Sequence, residues 1–134
     1  MNPADPLREL PQGLRDEQAQ LLASGLNTWG DVQNLTDHQI SRLAASGRAS
    51  ARNLRRLKGM ADLGCCLDLA PADAALLMHA GLATVAAVAG SSPPELVTRT
   101  GRLERQLRSG RPPVVDLALA RTWILRAKER QNTN

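Results

Sequence analysis

Fifteen of the seventeen basic residues in this chain are arginine, and most of the bases fall in two blocks. The first runs from Arg42 to Lys58 and holds Arg42, Arg48, Arg52, Arg55, Arg56 and Lys58 with no acid among them. The second holds Arg99, Arg102, Arg105, Arg108 and Arg111, a strict period of three broken by the single acid Glu104. Arginine presents a planar fork of N–H donors that matches phosphate or carboxylate oxygens two at a time, where lysine offers a point charge. On an α-helix a row of period three drifts slowly around one side, so each block reads as a cationic strip. Acidic stretches separate the strips. Residues 1–41 carry two arginines against six acids, and residues 59–98 carry four acids and no base. The chemistry this pattern offers is capture of an anionic partner, either nucleic-acid phosphates or an acidic protein surface.

Other chemistries find little to build on. The chain has no phosphate-cradling GxxxxGK and no GxSxG nucleophile turn. His38 and His79 are its two histidines, and neither has an Asp, Glu or Cys at metal-ligand spacing on its own helix. The remaining acids read as helix caps and solvated faces rather than a paired acid and base. Cys65 and Cys66 are adjacent, lack the spacing of a zinc ligand pair, and read as two small apolar residues in a buried turn. The expectation is a protein that is not an enzyme, with no catalytic residues, no metal and no cofactor. No stretch approaches the roughly 18 apolar residues of a membrane span. The opening Met1-Asn2-Pro3-Ala4-Asp5-Pro6 has neither the basic nor the apolar part of a secretory signal. Unpaired cysteines and no signal place the expected chain in the reducing cytoplasm.

Those strips need helices to hold them, and the composition supplies helix formers. Hydrophobic residues make up 43% of the 134, mostly Leu and Ala, with no Phe or Tyr. That bias favours helices over sheets, and so predicts an all-α fold. The clearest organisational signal is self-similarity at an offset of 56 residues. Leu21-Leu22-Ala23-Ser24-Gly25-Leu26-Asn27-Thr28-Trp29-Gly30-Asp31-Val32 aligns with Leu77-Met78-His79-Ala80-Gly81-Leu82-Ala83-Thr84-Val85-Ala86-Ala87-Val88. Gly25 and Gly81 can take the left-handed conformation that ends a helix. Leu26 and Leu82 then turn back to the core, and Thr28 and Thr84 can cap the next helix through their hydroxyls.

A third helix is signposted in each unit. Thr36 with Gln39 forms a capping box, and Ser92-Pro93-Pro94-Glu95 forms another, with Pro at the first helical position. A glycine follows in each, Gly47 and Gly101, and then basic sequence. In the first unit that sequence predicts an amphipathic helix over residues 49–63. Leu54, Leu57 and Ala61 share its inner face, and Arg48, Arg52, Arg55 and Arg56 fall opposite. In the second unit an insertion over residues 102–113 precedes a last helix over residues 114–130, whose inner stripe is Leu117, Ala120, Ile124 and Ala127 bordered by Trp123. The expected organisation is an N-terminal arm, residues 1–13, a first unit at 14–64 and a second at 65–131, sharing a core.

A helix, a Gly-apolar-x-Thr turn, a short helix and a glycine hairpin leading into a basic helix resemble the helix-hairpin-helix superfamily. In detail the units resemble the C-terminal domain of the bacterial RNA polymerase alpha subunit. Over nearly its whole length the chain is similar to an uncharacterised bacterial family, familiar from cyanobacteria, of tandem helix-hairpin-helix units. The resemblance implies that hairpin N–H groups and the following helix start hold a nucleic-acid phosphate. It would assign this role to Ser46-Gly47-Arg48-Ala49-Ser50 in the first unit and Thr100-Gly101-Arg102 in the second. A helix N-terminus is an anion site by its free N–H groups and dipole alone, which agrees with that role. The expected contacts are Gly47, Arg48, Ser50, Arg52, Arg55 and Arg56, then Gly101, Arg102, Arg105, Arg108 and Arg111. The expected function is sequence-independent nucleic-acid binding, most naturally to DNA. The alternative is a protein-interaction adaptor on a degenerate helix-hairpin-helix scaffold, with the 99–113 segment as its epitope. Base stacking has little to work with, since Trp29 and Trp123 are the only aromatics and sit at core-like positions.

Overall fold

The glycine-threonine joints set the architecture. In a computed structural model, residues 1–8, 10–106 and 115–132 are described, with backbone alone at 105 and 106. The fold is all-helical, with eight α-helices among the described residues. These are α1 (Arg15–Ala23), α2 (Trp29–Gln33), α3 (Asp37–Ala45), α4 (Ala51–Leu67), α5 (Pro71–His79), α6 (Val85–Ala89), α7 (Pro93–Gln106) and α8 (Leu117–Asn132), preceded by a 3-10 turn at Gln12–Leu14. The starts of α1, α2 and α3 recur in α5, α6 and α7 at the 56-residue offset seen in the sequence.

Each joint is built as its residues dictate. Gly25 (φ 79°) and Gly81 (φ 84°) take left-handed backbone, which a side chain would resist. The amides of Leu26 and Leu82 then reach back to the carbonyls of Leu21 and Leu77 at 2.9 Å. Thr28 and Thr84 cap α2 and α6 by accepting from the amides of Asp31 and Ala87. Thr36 and Gln39 form a complete capping box at α3, and Ser92 accepts from the amide of Glu95 at 3.3 Å where α7 begins.

α4 is the axle of the molecule. It packs against α2, α3, α5, α6 and α8, and its Leu54, Leu57, Met60, Ala61, Leu63 and Leu67 are all fully buried. Burying each leucine is worth about 1.5–3 kcal/mol, so this one helix anchors both repeats in a single core. The expected boundary between residues 64 and 65 therefore falls inside a continuous helix. Cys65 and Cys66 lie half-buried in its last turns, not in a turn between elements, because Gly64 stays helical and α4 ends only where Asp68 takes the left-handed conformation (φ 54°). In α8, Ala120, Trp123, Ile124 and Ala127 are buried as the stripe predicts, whereas Leu117 at the helix start is 45% exposed. The first turn of α8 overhangs the core.

The N-terminal arm is docked. Pro3 and Asp5 present their carbonyls to the amides of Gly30 and Trp29, at 2.8 and 3.0 Å, and the Leu7 amide donates to Asn27. These bonds satisfy N–H groups at the start of α2 that no helix carbonyl can reach. Leu7 is buried, and the Met1 ammonium reaches the Leu69 carbonyl at 2.6 Å beyond the end of α4.

Candidate nucleic-acid interface

The turn between α3 and α4 falls at Gly47. Ser46 follows the end of α3, and its hydroxyl donates to the Leu43 carbonyl and accepts from the Arg48 amide. Gly47 is exposed and left-handed (φ 76°), and Ala49 is buried as the hook that returns the chain to the core. Ser50 caps α4 by accepting from the Asn53 amide at 3.2 Å.

The anion position at that helix start is already filled from within. Glu17 of α1 is 3% exposed, and one of its carboxylate oxygens accepts from the Ser50 amide at 3.0 Å. The other accepts from the Asn53 side-chain amide at 3.3 Å. An internal carboxylate thus stands where an external phosphate oxygen would be held, and the dipole of α4 favours it there. Sequence reasoning missed this contact because Glu17 reads as one more acid in an exposed first turn. Its place one turn before Leu21 on the inner face of α1 was the available signal.

The arginine face of α4 lies outside that contact. Arg48, Arg52 and Arg55 are exposed, and among the described residues none of them forms an ion pair. Arg42 is also exposed, on α3, and lines a cavity of about 450 Å³ with Gln20, Ser24, Gln39, Leu43 and Ser46. Lys58 is half-buried and donates to the Leu35 carbonyl at 2.6 Å, which makes it an internal strut. Arg56 is half-buried too, with its guanidinium 3.3 Å from Nδ1 of His79. That imidazole is held below its ordinary titration range, first by partial burial and then by the Arg56 charge.

No hairpin forms at Gly101 among the described residues. Thr100, Gly101 and Arg102 lie inside α7, which runs unbroken to Gln106. Gly101 is buried, and Thr100 turns its hydroxyl onto the Leu96 carbonyl at 2.9 Å. The repeat explains the difference. At an offset of 56, the counterpart of Gly47 is Leu103 and not Gly101, so nothing at the equivalent position favours left-handed backbone. Arg102 is exposed on α7, and Arg105 lies on the same helix. Arg108 and Arg111 lie outside the described residues. On α8, Arg126 donates to the Leu67 carbonyl at 2.9 Å and so serves the end of α4.

Neither histidine gains a ligand partner set. His38 is exposed in the first turn of α3 and His79 closes α5. Among the described residues no group of three or more His, Cys, Asp or Glu could hold a metal ion. Burial raises the thiol of Cys66 above its ordinary range, with the Asp62 carboxylate adding to the effect, and burial raises Cys65 likewise. Thiols so placed are poor nucleophiles. No described helix is long and apolar enough to cross a membrane.

Comparison with family models matches residues 11–130 to DUF4332, a domain of unknown function. The chain belongs to that family. The match takes in both repeats, the turn at Gly47 and the arginine face, and leaves residues 1–10 outside. No curated protein and no solved structure matches.

Proposed function

We propose that this protein binds nucleic acid without sequence preference, through backbone phosphates held by the arginine face at the start of α4. One observation carries the reading: Arg48, Arg52 and Arg55 stand exposed together, while Glu17, the acid bonded at this helix start, is buried. Phosphate contacts of this kind supply affinity and little sequence information. Trp29 and Trp123 are 1% and 2% exposed, which argues against a base-stacking surface. The repeats fit a reading as degenerate helix-hairpin-helix units, of which the first keeps its hairpin. The role is non-catalytic and uses no cofactor, and the free thiols suit a cytoplasmic setting.

Fluorescence anisotropy with labelled duplex DNA and RNA tests this. If about four phosphates are neutralised, affinity should fall about 100-fold between 50 and 200 mM salt, by release of condensed counterions. The triple variant Arg48→Glu, Arg52→Glu, Arg55→Glu should abolish binding at low salt, and undiminished affinity in it would exclude this surface.

A protein-interaction adaptor is the second reading. The carboxylate of Glu17 at Ser50 and the continuous α7 favour it, since both remove a phosphate cradle. Partners recovered by pull-down from nuclease-treated lysate, together with no DNA or RNA binding by the purified protein, would support it over the first.

A further inference from the structure

The turn between α5 and α6 lies between the basic helices of the two repeats. On the α4 side, a Cβ built at Gly59 would sit 3.6 Å from the Ala83 carbonyl. Gly59 follows Arg52, Arg55 and Arg56 on one side of the helix, so the turn abuts α4 immediately below those arginines. Arg56 makes its contact with His79 there. On the α7 side, Nη1 of Arg99 lies 3.7 Å from where a Cβ of Gly81 would stand. Arg99 is half-exposed, with Glu95 one turn earlier 3.6 Å away, and Arg102 follows on the same side of α7 and is exposed. Of the acids near this turn, Glu95 pairs with Arg99, while Asp73 lies at the other end of α5 with its carboxyl pushed up by burial and by the charge of Glu104.

We infer that the phosphate-binding face continues from the first repeat into the second across this turn. Arg52, Arg55 and Arg56 of α4, His79 at the end of α5, and Arg99 and Arg102 of α7 form one track for a nucleic-acid backbone. The inference rests on the α4 reading above and extends it to the second repeat, by a route that uses no second hairpin. A neutral imidazole between guanidinium groups fits such a track. It can donate a hydrogen bond to a phosphate oxygen, and it can take up a proton once a polyanion offsets Arg56.

The test compares the full chain with two variants, Arg52→Ala with Arg55→Ala, and Arg99→Ala with Arg102→Ala, in salt titrations against duplex DNA. Each pair should weaken binding and reduce the slope of log affinity against log salt by about 2, one unit per lost phosphate contact. In the unsubstituted protein, proton NMR should show the His79 ring signals moving on addition of DNA while those of exposed His38 stay, a readout that does not depend on the variants folding. An α4 pair that weakens binding beside an α7 pair that does not, with His79 signals unmoved, overturns the track and leaves the α4 reading standing. Absence of DNA binding by the unsubstituted chain overturns both.

Discussion

Glu17 shows how one side chain changes the meaning of a motif. Its carboxylate is buried against Ser50 and Asn53, so removing it leaves two part-buried donors without their acceptor. A buried donor left without its partner costs about 1–3 kcal/mol. Glu17→Ala should therefore lower stability by about 2 kcal/mol in urea denaturation, with Glu17→Gln in between because it keeps one acceptor. A loss below about 0.5 kcal/mol in Glu17→Ala would mean that water replaces the carboxylate. His79 gives a pH dependence of known sign. Its folded value lies below the ordinary value of about 6.5, so as pH falls the unfolded chain takes up the proton first. Stability should decline as pH drops through and below that value, and His79→Asn should flatten this part of the profile in melts between pH 5 and 7.5. The causes of the effect are partial burial first and then the charge of Arg56 from α4.

At the scale of elements, the two short helices α2 and α6 differ in how their caps are completed. In α2 the Thr28 hydroxyl accepts from the Asp31 amide, and the Asp31 carboxylate returns bonds to the amides of Thr28 and Asn27. Those bonds, the Thr28 contact first, hold the Asp31 carboxyl below its usual range. In α6 the third position is Ala87, so Thr84 caps alone. Losing a cap of this kind costs about 1 kcal/mol. Thr28→Ala should lower the urea midpoint more than Thr84→Ala at neutral pH, and the gap should narrow in acid as Asp31 is protonated. The arm offers a second test at this scale. A Cβ on Gly30 would meet the Pro3 carbonyl oxygen at 2.9 Å, a backbone atom that cannot give way without the arm shifting. Gly30→Ala should release residues 1–8 to faster amide exchange while the repeats keep their protection. Unchanged exchange there would show that the Pro3 contact does not hold the arm.

For the whole molecule, α4 makes the repeats inseparable. It contributes side chains to both halves of the core, so the chain should unfold as one unit. Leu57→Ala empties a fully buried site and should cost about 2–5 kcal/mol. Its effect should appear equally in probes placed near Trp29 and near Trp123. Two resolved calorimetric transitions, or a shift confined to one tryptophan, would contradict a shared core.

Local physics was enough for much of this. The all-helical class, the 56-residue repeat, the left-handed Gly25, Gly47 and Gly81, the threonine caps and the inner stripe of α4 follow from backbone sterics, capping chemistry and helical period. Each of these depends on residues within a few positions of one another, and such signals are written in the chain itself. The destiny of Gly101 was legible too, but only by holding the repeat to register, where Leu103 and not Gly101 matches Gly47. Three things needed the packed molecule: that Glu17 fills the anion position of the first hairpin, that α4 bridges the units, and that Arg56, His79 and Arg99 meet around one turn. Each joins residues 18 to 36 positions apart or more, and such meetings are set by how helices pack, which no local propensity encodes.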